Sequence, residues 1–252
     1  MPKLFVFGFH AVESLLQHHA DRVIRVCVQK QSTNKKIISL TQLANQKNIT
    51  VEISSPQALD QMTHNANHQG VVAFCTEMPT YDENDLLSLL QNLSVPPFIL
   101  ILDGIQDPHN LGACFRSADA AGVHLIIAPK DKSVGLTPAV SKVASGAAEI
   151  VPFVRVTNLV RTLEMLKAQG IWIYGAAADA SAMLYQTNLS GPIAMVLGAE
   201  GSGLRRLTRE HCDGLVKIPM SGTVSSLNVS VATGIFLFEI VRQRLGLNIK
   251  ND

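Results

Sequence analysis

The sequence predicts an α/β fold in which a mostly parallel sheet carries helices on both faces. From Pro96 onward, short and nearly continuous apolar runs alternate with segments of helical character. Such runs are typical of strands covered on both faces, and strand–helix alternation is typical of a parallel sheet. A smaller α/β unit precedes them in residues 1–75, where β-rich runs also alternate with helical stretches.

The elements follow from these runs in chain order. In the first 75 residues the predicted strands are RVIRVCVQ, ITVEIS and GVVAFC. After Pro96 they are FILIL, VHLIIA, EIVPFV, IWIYGA, IAMVLG and GLVKIP. The predicted helices of this second half cover residues 110–121, 136–146, 158–169, 203–211 and 226–244.

An acidic stretch over residues 76–95 separates the two halves. It opens with a proline turn, includes one short amphipathic helix, and ends at Pro96 and Pro97, which interrupt regular structure. We therefore predict domains over 1–75 and 96–252, joined by a linker over 76–95.

Composition limits the classes of protein to consider. The 252 residues suffice for one large or two ordinary domains, and the net charge is +1. Six basic residues between positions 21 and 50 face one acid, which predicts either a modest basic patch or an unevenly charged surface. No apolar run approaches the ~18 residues of a membrane span.

The cysteines and histidines predict neither a disulfide framework nor a metal site. Four widely spaced cysteines without CxxC spacing fit a reducing cytosol, so we expect a cytoplasmic protein. His64 and His68 have the i, i+4 spacing of metal ligands, but no third ligand follows, and a polar loop is the better interpretation.

Ligands of open α/β sheets bind beyond the carboxyl ends of the strands. The predicted loops there cover 103–110, 175–190, 198–203 and 219–228. In the first of them, Asn110 can cap a helix that runs to Ala121, as many loop amides do. Arg116 has small and apolar neighbours. It fits packing against a partner or binding an anion better than a plain surface position.

Glycines dominate the next polar segment, MVLGAEGSGLRR. Gly198, Gly201 and Gly203 allow a ligand to approach the backbone closely, and Glu200 lies among them. The spacing GxxGxG differs from the GxGxxG of dinucleotide folds, and no GK[ST] ending is present. A nucleoside without phosphates therefore fits this loop better than a nucleotide.

A third segment, SGTVSSLNVSVATG, leads from a strand through a glycine loop into an apolar helix. By itself it predicts that Ser225 or Ser226 caps the helix while Asn228 forms local hydrogen bonds.

Together the three segments resemble, in order and separation, the motifs of the SpoU (TrmH-like) 2′-O-ribose methyltransferases of the SPOUT class. NLGACFRSADAAG is similar to motif one (N-x-G-x-x-x-R-x-A), MVLGAEGSGL to motif two and IPMSGTVSSLNVSVATGI to motif three. The resemblance extends over residues 98–244. FGFHAVESLL and HQGVVAF are similar to the substrate-binding domain of the subgroup that methylates a guanosine of the large-subunit (23S) ribosomal RNA.

This resemblance implies a trefoil-knotted methyltransferase domain over 96–252 and a small, L30e-like RNA-binding domain before it. It also implies a homodimer and S-adenosylmethionine bound against the knotted loops. The residues implied to contact the cofactor are Gly198, Ile218 and Leu227, with Ala199 and Met220 as neighbours. Those implied for substrate binding and catalysis are Asn110, Arg116, Glu200, Ser226 and Asn228.

The expected reaction is methyl transfer to a ribose 2′-hydroxyl of 23S ribosomal RNA. In the family proposal Arg116 is the general base, but a guanidinium group remains protonated in proteins. We favour the hypothesis that Arg116 stabilises the developing alkoxide near a substrate phosphate. Alternatives are methylation of transfer RNA, or an RNA-binding protein of the same fold without activity. A nucleotide-dependent oxidoreductase is disfavoured because its glycine fingerprint is missing.

Overall fold

Two units make up the chain. The computed structural model describes residues 4–30, 34–76 and 81–246. The first unit covers Met1–Pro79 together with Ser145–Ile150, and the second covers Thr80–Ala144 and Val151–Asp252.

The first unit contains a four-stranded sheet in the order β1-β4-β2-β3. Its strands are β1 (Leu4–Phe7), β2 (Val23–Gln29), β3 (Thr50–Ser54) and β4 (Val71–Cys75). Its helices are α1 (Phe9–His18), α2 (Lys35–Gln46) and α3 (Pro56–Met62). β4 lies antiparallel to β1 and β2, and the apolar face of α1 packs into the core through Val12, Leu15 and Leu16. The three predicted strands of this half are confirmed.

The second unit contains an eight-stranded sheet in the order β10-β12-β9-β11-β6-β7-β8-β5, and every pairing described in it is parallel. The strands are β5 (Tyr81–Asp82), β6 (Phe98–Asp103), β7 (Leu125–Pro129), β8 (Phe153–Val156), β9 (Trp172–Ala176), β10 (Ala182–Met183), β11 (Ile193–Gly198) and β12 (Gly214–Lys217). The helices are α4 (Leu86–Gln91), α5 (Pro108–Ala121), α6 (Pro138–Ala144), α7 (Leu159–Ala168), α8 (Arg206–Glu210) and α9 (Val229–Arg244).

The predicted α/β class and the six strands after Pro96 are confirmed. β6 and β7 are buried at every position, and this explains their continuous apolar sequences. One of these strands starts later than predicted, because the run EIVPFV begins to pair only at Phe153. Residues Ala147–Glu149 instead form a 3₁₀ turn, and Pro152 cannot donate a ladder hydrogen bond.

The predicted N-terminal caps of α5 and α9 are both wrong. The cap of α5 is Asp107, whose side chain accepts a hydrogen bond from the His109 amide, so Asn110 lies inside the first turn. Pro108 lacks an N–H and favours the first helical position, which starts the helix earlier than predicted. The cap of α9 is Asn228, whose side chain accepts from the Ser230 amide.

Part of the predicted linker is folded. β5 pairs with β8, while Leu86 and Leu90 of α4 are buried in the core of the second unit. The short helix predicted in this stretch is present as α4, residues 81–95 belong to the second unit, and residues 77–80 lie outside the described residues. The helix contributes because its leucines recur at helical spacing and cover the sheet.

Among the described residues, no helix is long and apolar enough to cross a membrane, and no group of three or more His, Cys, Asp or Glu side chains could hold a metal ion.

Candidate active site

A cavity of about 800 Å³ opens at the carboxyl edge of the large sheet. It lies where the loops after β9, β11 and β12 meet the first turns of α9. All five residues predicted to contact the cofactor line it: Gly198, Ala199, Ile218, Met220 and Leu227. Three of the five predicted catalytic residues line it as well: Glu200, Ser226 and Asn228.

Glu200 joins three segments that are distant in sequence. Its Oε1 accepts a hydrogen bond from Asn110 Nδ2 at 3.2 Å and another from the Asn228 side-chain amide. The Val229 amide at the start of α9 lies 3.4 Å from the same oxygen. Because a carboxylate only accepts hydrogen bonds, Glu200 fixes both asparagine amides with their N–H groups toward the loop over residues 198–205, called the glycine loop below.

Asn228 serves as a helix cap and as part of this cluster. Its Oδ1 accepts from the Ser230 amide at 2.9 Å, and its Nδ2 donates to Asn110 Oδ1 at 3.0 Å. One side chain thereby fixes the start of α9 and the first turn of α5. Ser226 lines the cavity and is exposed, but it forms no hydrogen bond within the described part of the chain.

The glycine loop after β11 folds back on itself. Ala199 and Gly203 form an isolated β-bridge, with the Gly203 amide donating to the Ala199 carbonyl at 2.9 Å. A Cβ atom at Gly198 would lie 2.1 Å from the carbonyl carbon and oxygen of Gly203. Glycine is thus required at 198 because two backbone segments touch there.

An ion pair lies at the edge of the cavity. Arg209 Nη1 and Nη2 contact the two carboxylate oxygens of Asp179 at 2.8 and 2.9 Å. Hydrogen bonds from the Arg209 side chain are the largest influence on Asp179 and hold its pKa below the ordinary value. Both residues line the cavity, so opposite charges stand beside its apolar surface.

Arg116 lies on the other side of α9 from this cavity. It lines a second cavity of about 390 Å³ together with Ser230, Val231 and Phe238. The first cavity is instead lined by Val229, Ala232 and Phe236, on a different face of the same helix. Arg116 is exposed and forms no hydrogen bond or ion pair with any residue of the described ranges. The structure therefore does not bring Arg116 together with Glu200 and the two asparagines within one chain.

Three residues near the glycine loop were not singled out from the sequence. Asp103 ends β6 and is 1% exposed, and it contacts Arg205 at the end of the glycine loop. Asp103 and Arg205 are two of these residues. The third is Asp131, whose carbonyl accepts a hydrogen bond from Arg205 Nη2 at 3.1 Å. An acid directly after the apolar run FILIL is the signal that could have indicated Asp103.

The fold and the site together define a class: an α/β protein with a ligand-sized cavity built from loops at the carboxyl edge of a parallel sheet. Residues 97–238 match the model of the SpoU rRNA Methylase family. Residues 5–81 match the model for RNA 2′-O ribose methyltransferase substrate binding. The chain belongs to the SpoU rRNA methylase family, and the resemblance found in its sequence is confirmed.

Bacterial relatives resemble nearly the whole chain. A protein of Escherichia coli (strain K12), named 23S rRNA (guanosine-2′-O-)-methyltransferase RlmB, is 52% identical over 95% of this chain and 98% of its own length. The protein of the same name from Pectobacterium atrosepticum is 52% identical over 96% of this chain and 98% of its own.

A solved structure also shares the fold. The SpoU methyltransferase AviRb from Streptomyces viridochromogenes, in complex with AdoMet, has a TM-score of 0.77 and 24% identity. The match covers 97% of this chain and 91% of that one.

Proposed function

We propose that this protein transfers a methyl group from S-adenosylmethionine to the ribose 2′-hydroxyl of a guanosine in 23S ribosomal RNA. The observation that carries the proposal is the cluster of Glu200, Asn110 and Asn228 beside the cavity. Relatives that are 52% identical over nearly the full chain carry the name of this activity.

The residues of the cavity fit the cofactor. About 800 Å³ lies within the range of roughly 300–1,000 Å³ for small-molecule sites. Ile218, Met220 and Leu227 offer apolar surface for an adenine ring, and Gly198 adds no side chain to the wall of the cavity. The carboxylate of Glu200 would repel phosphates but favour a cationic ligand, as expected for a sulfonium nucleoside without phosphates. Asp179 is neutralised by Arg209 and adds no net charge to the cavity.

When bound, S-adenosylmethionine supplies an activated methyl group whose leaving group is a neutral thioether. What remains for the protein is to hold the ribose hydroxyl in line, to help remove its proton, and to stabilise the charge on its oxygen. Correct orientation alone can contribute on the order of 7–11 kcal/mol. We assign this orientation to the amides of Asn110 and Asn228, which Glu200 holds in place, with Ser226 free to contact the ribose.

RNA binding is assigned to residues 1–75, which precede the catalytic domain over 96–252. Fewer basic residues of the stretch over 21–50 are available to RNA than its composition predicts. Arg22 is buried and donates to the Thr76 carbonyl, and Arg25 forms an ion pair with Glu52. The basic residues of the stretch that remain exposed are Lys30, Lys35, Lys36 and Lys47. These lysines are the proposed contacts to phosphates.

We further propose that the protein acts in the cytoplasm as a homodimer and that its catalytic domain is knotted, as the family resemblance implies. For the dimer, the supporting observation is the second cavity. Val231 and Phe238 on α9 are 52% and 49% exposed there, next to Arg116. A second copy that covers this apolar surface would also give Arg116 a binding partner. We propose that Arg116 then stabilises the developing alkoxide at the partner's site.

The test is tritium transfer from labelled S-adenosylmethionine to ribosomal RNA that lacks this methyl group, followed by mapping of the modified ribose. Label on a guanosine of 23S RNA is the expected result. Label confined to transfer RNA would show that transfer RNA, not ribosomal RNA, is the substrate. If no RNA is labelled although S-adenosylhomocysteine binds, the proposal is contradicted.

A further inference from the structure

The glycine loop is fixed at both of its ends. At its start, Glu200 is held by Asn110 and Asn228, as described above. At its end, the Arg205 amide donates to Asp103 Oδ2 at 3.0 Å, and Arg205 Nε lies 3.3 Å from Oδ1. Between these ends, residues 201–204 line the cavity.

The contact at the end of the loop connects three adjacent strands. β11, β6 and β7 are neighbours in the sheet, with Gly198 paired to Asp103 in register. Arg205 Nη2 also donates to the carbonyl of Asp131, in the loop after β7, at 3.1 Å. One guanidinium group thus joins the three loops that follow these strands. The Asp103 side chain is fully buried, whereas that of Arg205 is 38% exposed.

A buried carboxylate is costly unless a cation or hydrogen-bond donors compensate it. The buried Asp103 carboxylate is compensated by one backbone hydrogen bond and one ion pair, and both come from Arg205, so the backbone of the loop is part of the contact. Because Gly203 packs against Gly198, a displacement at 205 would be transmitted to the backbone that faces the cavity.

We propose that Asp103 and Arg205 are positioning residues that hold the glycine loop in the conformation that binds the cofactor. Neither side chain needs to touch the cofactor. The inference rests on the proposed function, since it assumes that S-adenosylmethionine occupies the cavity. Its consequence is that loss of the pair weakens cofactor binding more than it lowers the maximal rate.

The test compares Asp103→Asn with a matched control, Asp213→Asn. Asp213 also accepts a backbone hydrogen bond, from Ile173 at 2.8 Å, and also pairs with a cation, Lys167, at 2.9 Å. It precedes β12 and therefore lies at the opposite, amino-terminal edge of the sheet. Both variants are studied as full chains at a temperature where thermal unfolding curves show each to be folded.

For Asp103→Asn we expect the Kd of S-adenosylhomocysteine, measured by calorimetry, to rise about tenfold. The KM for S-adenosylmethionine should rise with it, and kcat should change less. Asp213→Asn should lower the Tm without changing the Kd. Arg205→Lys, which keeps the charge but not the planar fork, should bind better than Arg205→Gln.

Hydrogen–deuterium exchange provides a readout that is independent of activity. Peptides covering 198–205 and 131–135 should exchange faster in Asp103→Asn than in the parent or in Asp213→Asn. Parental Kd and exchange in Asp103→Asn would overturn the inference, as would an equal rise of Kd in Asp213→Asn. If the parent labels no RNA, the proposed function fails, and the exchange comparison still decides the role of the pair.

Discussion

The side-chain amide of Asn228 donates a hydrogen bond to Asn110 Oδ1 across 3.0 Å, although 118 positions separate the two residues. Asn110 belongs to the first turn of α5, and Asn228 caps α9. Glu200 accepts from both, so one residue from each of the three conspicuous polar segments enters a single cluster. The predictions below depend on this cluster, on the loop beside it and on the helix that separates Arg116 from it.

Glu200→Ala should abolish most of the activity while the cofactor still binds. The substitution removes the oxygen that accepts all three hydrogen bonds, so Asn110 and Asn228 lose their common orientation. We expect methyl transfer to fall about 100-fold, the scale of a misplaced reacting group. Tritium transfer measures this effect. Glu210→Ala, at an exposed residue paired with Arg206, is the control, and equal losses in both variants would refute the assignment.

Arg116→Ala should leave cofactor affinity unchanged, because Arg116 does not line the cofactor cavity. Methyl transfer should nevertheless fall if Arg116 acts on the substrate. Calorimetry with S-adenosylhomocysteine and tritium transfer separate the two effects. In Arg116→Lys, retained activity with a shifted pH–rate profile would support electrostatic stabilisation, whereas complete loss would leave the role of a base open.

Phe238→Asp should convert a dimer into a monomer. Phe238 is 49% exposed in a single chain, and a charge introduced there would oppose burial against a second copy. Sedimentation velocity measures the change. Leu207→Asp, at an apolar residue of α8 with 48% exposure, is the matched control and should not alter the assembly. A parent that sediments as a monomer would exclude the proposed dimer.

Gly198→Ala should destabilise the glycine loop, because its Cβ would overlap the Gly203 carbonyl group. Overpacking of this kind costs about 1–3 kcal/mol. We expect a lower Tm and weaker binding of S-adenosylhomocysteine. Gly222→Ala, in the loop before α9, is the control because its Cβ would meet no described atom within 4 Å. Unchanged binding in Gly198→Ala would show that the loop tolerates the displacement.

The stability of the protein should fall when the pH rises above about 9, in part through Cys114. Burial raises the pKa of this thiol from 9.0 to about 11. Between these values the unfolded chain releases the proton while the native state retains it, so the free energy of unfolding decreases with pH.

Urea unfolding at about pH 8 and about pH 10 measures this decrease. Cys114→Ser keeps a hydrogen-bonding group next to Thr233 but no longer titrates in this range. Its decrease should be smaller than that of the parent by about 1 kcal/mol. Equal decreases in the two proteins would show that Cys114 does not contribute.

Much of the fold follows from local patterns. The fully buried strands β6, β7 and most of β11 are continuous apolar runs, and their sequences require cover on both faces. β5 and β10 are two residues long, and no local pattern specifies them, because each exists only through pairing with a neighbouring strand. The cap of α5 depends on which of several adjacent polar residues reaches a free amide, and Pro108 decides this in favour of Asp107.

For the site, the sequence by itself determined which loops meet, since the carboxyl ends of parallel strands share one edge. The residues that line the cavity follow from that rule and from the resemblance to the family. The tertiary structure alone decided which side chains touch. Asn110 and Arg116 are six positions apart, which places them about 120° apart around a helix axis, and α9 packs between Arg116 and the cavity. Likewise, the ion pair of Asp103 and Arg205 joins residues separated by 102 positions and exists only because the chain returns to the neighbouring strand.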